Sequence, residues 1–419
     1  MTDLVTKAQI ILLARTLHVQ AESLAHLEKL GAEQLHDLQE RMAGIIFDQN
    51  NAIFERLSAL VSIVPLRISL PLVTRVVPPT MAGRAAGAVG VDHPKKAAEA
   101  VGMLDVSYAA DCAPFMDPRS VGQLADVAPP GPVIRITNEL LRRGDYITAG
   151  PLLAYATPEL IRAVEQGVHD DDALIRSAAY AFSGANVSAI VRELLTGPAQ
   201  RIPRIVATVL AGEIDLRLAA LSTFARCDED VIAAVGDILF DIGSTGAITH
   251  FANSAIEAGA VPDILTFIGH FSPAALDSLA ANPLTADAAA MASLVAGLDE
   301  RAEAALWRGL LNLVERATPD VQRRVARHLT ELTEPTLAAL PVVATTAHLW
   351  PTLLRVWPRR RSALRRTSVR CGRSYPPPTA RNSNAESATW RSTPNWPPSS
   401  ARSTASTVAY TGVKSRLPM

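Results

Sequence analysis

One pattern constrains this chain more than any other, because it is written twice. Leu306-Trp307 is followed by Leu310-Leu311, and 43 residues later Leu349-Trp350 is followed by Leu353-Leu354. The spacing within each copy is that of one helical face. Between the copies, Thr318-Pro319-Asp320 opens an amphipathic run carrying Val321, Val325, Leu329 and Leu332. A unit of this kind cannot bury its apolar face alone and must stack on a neighbour. Leu306, Trp307, Leu310, Leu311, Leu349, Trp350, Leu353 and Leu354 are therefore expected to form the core of a helical repeat.

Composition agrees. Of 419 residues, 48% are hydrophobic but only 5% aromatic, which suits close packing of Ala, Leu and Val between helices better than a β-sandwich. Cys112, Cys227 and Cys371 are isolated and odd in number, which argues against a disulfide framework and for a reducing, cytoplasmic setting. The first residues lack a cleavage-site pattern and are expected to be helix. The most apolar stretch, residues 59–77, carries Arg67, Arg75 and two internal prolines, so a transmembrane span is not expected.

The net charge of −1 conceals a division. From Trp357 onward there are twelve Lys/Arg and one acid, Glu386; before it, 28 Lys/Arg face 40 Asp/Glu. An acidic body is a poor partner for nucleic acid, whose binding draws on phosphate neutralisation.

Residues 4–47 read as a helical hairpin. Leu4, Ile11, Leu17, Leu24, Leu27 and Leu30 lead up to Gly31, and Leu35, Leu38, Met42 and Ile45 follow at helical spacing. Such a hairpin would cap a solenoid or pair with a second copy. Prolines then punctuate the chain, and Asp117-Pro118, Thr157-Pro158, Ser272-Pro273 and Thr318-Pro319 each put a capping side chain before a first-turn proline. Helices are expected near 172–183, 187–195, 203–211, 215–225, 229–241, 247–258, 261–269, 273–281 and 286–297, with Gly197, Gly212, Gly243, Gly259 and Gly269 at their ends.

Residues 59–90 admit two readings. The favoured one is tightly packed helices whose small residues allow close approach; the other is a membrane-surface or partner-binding helix with Arg67, Arg75 and Arg84 beside an apolar face. From Trp357 the chain turns abruptly to Pro, Ser and Arg without helical periodicity, and disorder is expected there. Such a composition also arises when a GC-rich gene is read out of frame, and the break falls inside a repeat that has just restated its first helix. The coding DNA decides between a functional basic tail and a shifted frame.

No nucleophile elbow, paired Cys/His spacing, phosphate-binding glycine loop or H-x-x-x-H pattern occurs, so no catalytic residues and no cofactor are nominated. Asp170, Asp171 and Asp172 offer oxygen ligands for a divalent cation, as do Asp228, Glu229 and Asp230, but both clusters directly precede apolar runs, where carboxylates cap helices. Gly243-Ser244-Thr245-Gly246 reads as an interhelix turn. Arg143-Gly144-Asp145 spells an adhesion tripeptide but reads as a helix end followed by a cap.

Phe115-Met116-Asp117-Pro118-Arg119-Ser120-Val121, continuing to Val127-Ala128-Pro129-Pro130, resembles the short-helix rhythm of the cytoplasmic N domain of MgtE-type magnesium transporters. The resemblance covers residues 60–170 and implies a helical domain with a magnesium-responsive role, although the regular glutamate after proline is missing. The 43-residue unit is equally similar to HEAT-type repeats.

The sequence thus predicts an all-α chain: a helical hairpin over 1–49, a superhelical solenoid of stacked short helix pairs over 50–356, and a disordered basic tail over 357–419. The expected role is a non-enzymatic scaffold or regulatory protein that binds a protein or peptide on the solenoid surface. A membrane-peripheral protein using residues 59–90, a divalent-cation sensor and a homo-oligomer formed through residues 4–47 are the alternatives.

Overall fold

The computed structural model describes residues 4–49, 53, 56, 65–116, 118–301, 303–346 and 348–356. Among these, every regular element is an α-helix or a short 3-10 segment. The tail from Trp357, Asp117 of the Asp117-Pro118 cap, and most of 50–64 lie outside the described residues.

Helices α1 (Leu4–Leu17) and α2 (Gly31–Gln49) form the expected hairpin, joined through a 3-10 stretch over Ala21–Leu30. The first arm is shorter than the leucine spacing suggested. The backbone leaves the helix at His18, with φ of 56°, and Leu24, Leu27 and Leu30 fold back onto Ile10, Leu13 and Leu35. Gly31, with φ of 76°, makes the break that an L side chain would resist.

Eight short helices follow: α3 (Leu66–Val76), α4 (Pro79–Asp92), α5 (Pro94–Met103), α6 (Val106–Cys112), α7 (Pro118–Ala125), α8 (Pro130–Arg142), α9 (Tyr146–Leu152) and α10 (Pro158–Gly167). Five of them begin on proline, whose missing N–H is one the first turn leaves unpaired anyway. Thr157 Oγ1 accepts from the Leu160 N–H at 3.3 Å, so the Thr-Pro formula delivers its cap. In α4 the small residues have the close-packing role: a Cβ at Gly83 would run into the Cys112 carbonyl, and one at Gly90 would sit 2.9 Å from Leu124.

From Asp171 the chain settles into a regular step. Lead helices α11 (Asp171–Ala179), α14 (Ile214–Phe224), α17 (Val261–Gly269), α21 (Ala304–Arg316) and α24 (Trp350–Val356) start 43, 47, 43 and 46 residues apart. Each touches the next. Behind them lie α12 (Gly184–Thr196) and α13 (Arg201–Ala211), then α15 (Glu229–Ile242) and α16 (Thr245–Glu257). The next repeat holds α18 (Pro273–Ala280), α19 (Pro283–Ala286) and α20 (Ala288–Ala296), and the one after it α22 (Pro319–His328) and α23 (Glu334–Thr346). The helices expected between 172 and 297 form with ends within four residues of expectation. Each full repeat holds the stacked pair plus one further helix, or two in the repeat that α17 opens, because the period exceeds what two short helices and their turns consume.

One apolar core runs from Ile161 to Leu353 without interruption, as stacking requires. Its tightest crossing is α17 on α21, where a Cβ at Gly309 would collide with the Leu265 carbonyl. Polar side chains stitch one repeat to the next by taking up helix C-terminal carbonyls, which α-helices leave unpaired. Arg226 Nη1 donates to Ala181 O at 2.6 Å and Nη2 to Ala179 O at 3.2 Å, at the end of α11. Asn312 Nδ2 donates to Gly269 O at 3.3 Å, at the end of α17. A guanidinium there also complements the negative end of the helix dipole.

Candidate functional site

The lead helices do more than carry the core. A cleft of about 710 Å³ opens along α9, α11, α14 and α17, and Leu4, the first residue of α1, forms part of its wall. Tyr146 opens α9, Arg176 and Ala179 come from the last turns of α11 with Tyr180 just beyond, and Asp215, Leu218 and Ala219 come from α14. Gly259, Ala260, Pro262 and Asp263 close one side, with Glu300 and Arg301 at the edge. The lining mixes small residues with charged side chains of both signs.

Helix α1 lies against this row. Its far end is fixed by Arg15, whose Nη1 donates to Thr148 Oγ1 at 2.7 Å and whose Nη2 donates to Asp145 Oδ1 at 3.2 Å. The same Asp145 caps α9, accepting from the Thr148 N–H at 3.3 Å. Leu4, at the near end, packs against the main core. A 14-residue helix is about 20 Å long, about the span of three helices packed 8–10 Å apart, which is how α1 reaches from α9 to the α11–α14 cleft. Helix α2 adds a ring contact: His36 stacks on Phe182, just after α11, with centroids 3.8 Å apart and planes 14° from parallel. Val5, Thr6, Ala8, Gln9 and Ile10 are all buried, and the Gln9 amide oxygen sits 3.3 Å from His36 Nδ1. The hairpin thus lies against α9 and the first lead helices of the repeat array.

The acidic clusters have other partners. Asp170 Oδ1 caps α11, accepting from the Ala173 N–H at 2.9 Å. Asp171 is buried, and both of its oxygens face guanidinium groups: Arg201 Nε at 2.9 Å and Arg204 Nε at 2.6 Å. Arg201, wholly buried, also donates to Val164 O at 2.9 Å. Asp172 pairs with Arg176 one turn on. Asp228 and Asp230 share Arg192 at 2.7 and 2.5 Å, which holds the Asp230 carboxyl below the usual range. Glu229 meets Arg308 at 3.1 Å and His270 at 3.3 Å, and burial lowers the His270 pKa. Glu139 is pulled down to about 2 by hydrogen bonds from Arg142 and Arg143. Burial pushes the Cys112 and Cys227 thiols up to about 11. Ion pairing or burial accounts for each of these shifts.

The other singled-out positions are turns. Gly144, with φ of 70°, follows the end of α8 and Asp145 caps α9, so Arg143-Gly144-Asp145 is a helix junction. Gly243 ends α16's predecessor α15, and Ser244 Oγ caps α16 through the Ala247 N–H at 3.2 Å. The repeat motif divides. Leu306, Trp307, Leu310 and Leu311 are at most 1% exposed, and Leu349 and Leu353 are buried, but Trp350 is 39% and Leu354 69% exposed. Those two are a departure from the core role expected of them. They match Trp307 and Leu311 in register, and among the described residues no later helix covers them.

The cleft residues went unnoticed in the sequence because they gain meaning only once the repeat phase is known. A signal was present: Asp172, Asp215 and Asp263 recur in the first turn of successive lead helices. No family model matches the chain, and no curated protein matches it. A solved structure described as "Circular tandem repeat protein with novel repeat topology and enhanced subunit contact surfaces" is similar at 15% identity, covering 88% of this chain and 99% of that one, with a TM-score of 0.19.

Proposed function

We propose that this chain is a non-enzymatic, intracellular helical-repeat scaffold that takes an amphipathic helix or peptide of a protein partner on its row of lead helices. The observation that carries this reading is α1 itself: one largely apolar helix already lies beside that row, with Leu4 in the cleft wall and Arg15 paired to Asp145. The small lining residues Ala179, Ala219, Gly259 and Ala260 let a helix approach closely, and the mixed charges of Arg176, Asp215 and Arg301 suit a peptide better than a polyanion. The intracellular setting rests on the isolated cysteines, and the scaffold role on a stacked surface with no catalytic pattern in the sequence.

The test is binding in trans. In a chain lacking residues 1–49, a labelled peptide of residues 1–20 should bind saturably by fluorescence anisotropy. Leu218→Asp, in the cleft lining, should weaken that binding about tenfold or more, while Val342→Asp, exposed and outside that lining, should leave it unchanged. A shortened chain that keeps its helical circular dichroism and cooperative melting yet shows no peptide binding removes the reading.

A further inference from the structure

Helix α3 presents a second surface, built differently from the cleft. Ile68, Leu72 and Val76 follow one another at four-residue steps and are 68%, 64% and 71% exposed. Arg67, Pro71 and Arg75 form a parallel exposed stripe directly beside them. The opposite side, Leu66, Leu70 and Val73, is partly buried, and the helix rests on α5. Met81, at the start of α4, is also 63% exposed. Isolated exposed apolar residues are ordinary, but an ordered row along one helix is not.

Charge names the partner. Between Glu55 and Asp92 there is no acidic residue, while Arg56, Arg67, Arg75 and Arg84 all fall there, in a body where acids outnumber bases before Trp357. Neither Arg67 nor Arg75 makes an ion pair among the described residues, although most other arginines of the helical body do or reach a carbonyl; Arg84 bonds His18. Guanidinium groups beside an apolar row can reach lipid phosphates while Ile, Leu and Val enter the acyl boundary. Stable attachment to a surface needs two weak signals, and this helix supplies apolar insertion and basic charge together.

We propose that α3 docks this protein, reversibly and in the plane of the interface, on anionic phospholipid membranes. No spanning segment is involved: among the described residues no helix is long and apolar enough to cross a bilayer. The surface is independent of the cleft, so the two proposals can fail separately.

The full chain is floated with vesicles of phosphatidylcholine alone or with about 30% phosphatidylserine, an anionic content typical of a cytoplasmic leaflet mimic. Binding to the anionic vesicles only, weakened at high salt, is the expected result. Arg67→Glu and Arg75→Glu should each weaken it at least about fivefold, and Leu72→Ser about tenfold. Because these side chains are exposed, melting temperatures should stay near that of the parent. Leu354→Ser, equally exposed but on α24, is the control that should bind as the parent does. Absence of vesicle binding, binding indifferent to lipid charge, or no effect of the α3 variants overturns the proposal. So does a dimer in light scattering that Leu72→Ser converts to monomer, which would assign the face to a second copy.

Discussion

At the scale of single residues, the carboxylates that looked like metal ligands are where sequence and structure part most instructively. Asp170, Asp171 and Asp172 were legible as a helix start, and Asp170 caps α11 as such a residue should. The partner of Asp171 was not legible, because Arg201 lies thirty positions on and nothing local marks it as buried. Removing Asp171 would strand a wholly buried guanidinium, a loss worth about 3–5 kcal/mol. Asp171→Ala should therefore lower the urea midpoint sharply, whereas millimolar Mg²⁺ should leave the parent's midpoint where it is. A Mg²⁺-dependent rise in the parent that the variant lacks would return these carboxylates to the role of cation ligands.

At the scale of elements, proline and the small hydroxyl residues made most helix starts readable: five of the helices before α11 open on proline, and Thr157 and Ser272 both bond the N–H three residues ahead. Thr318 begins α22 without such a bond, so the formula marks the place and not always the contact. The further helices of each repeat were legible as helices but not as members of one unit with the stacked pair, since periodicity within a helix does not say which helices group together. The twin motif was legible as a pattern but not in its outcome. Trp307 lies under the next repeat and Trp350 does not, although their local sequences match. Trp307→Ala should cost about 3–5 kcal/mol and Trp350→Ala less than about 1 kcal/mol in chemical denaturation. Equal losses would mean that α24 is covered as α21 is.

At the scale of the whole described body, the repeat period was the most legible property of the chain, because a stacked core must restate its apolar residues at a fixed interval. The placement of α1 was the least legible. Its leucines gave a hairpin, but a contact between Arg15 and Asp145, or between His36 and Phe182, joins positions that no periodicity connects. That placement also carries the proposed function, since it sets Leu4 of α1 in the wall of the lead-helix cleft. It can be tested in the intact chain by putting a photoactivatable benzoylphenylalanine at Leu4 and mapping the cross-link by mass spectrometry. Cross-links are expected within 176–180, 215–222 or 259–263, the segments that share the cleft with Leu4. Cross-links confined to α2 and the 3-10 stretch, with none to the lead helices, would contradict it.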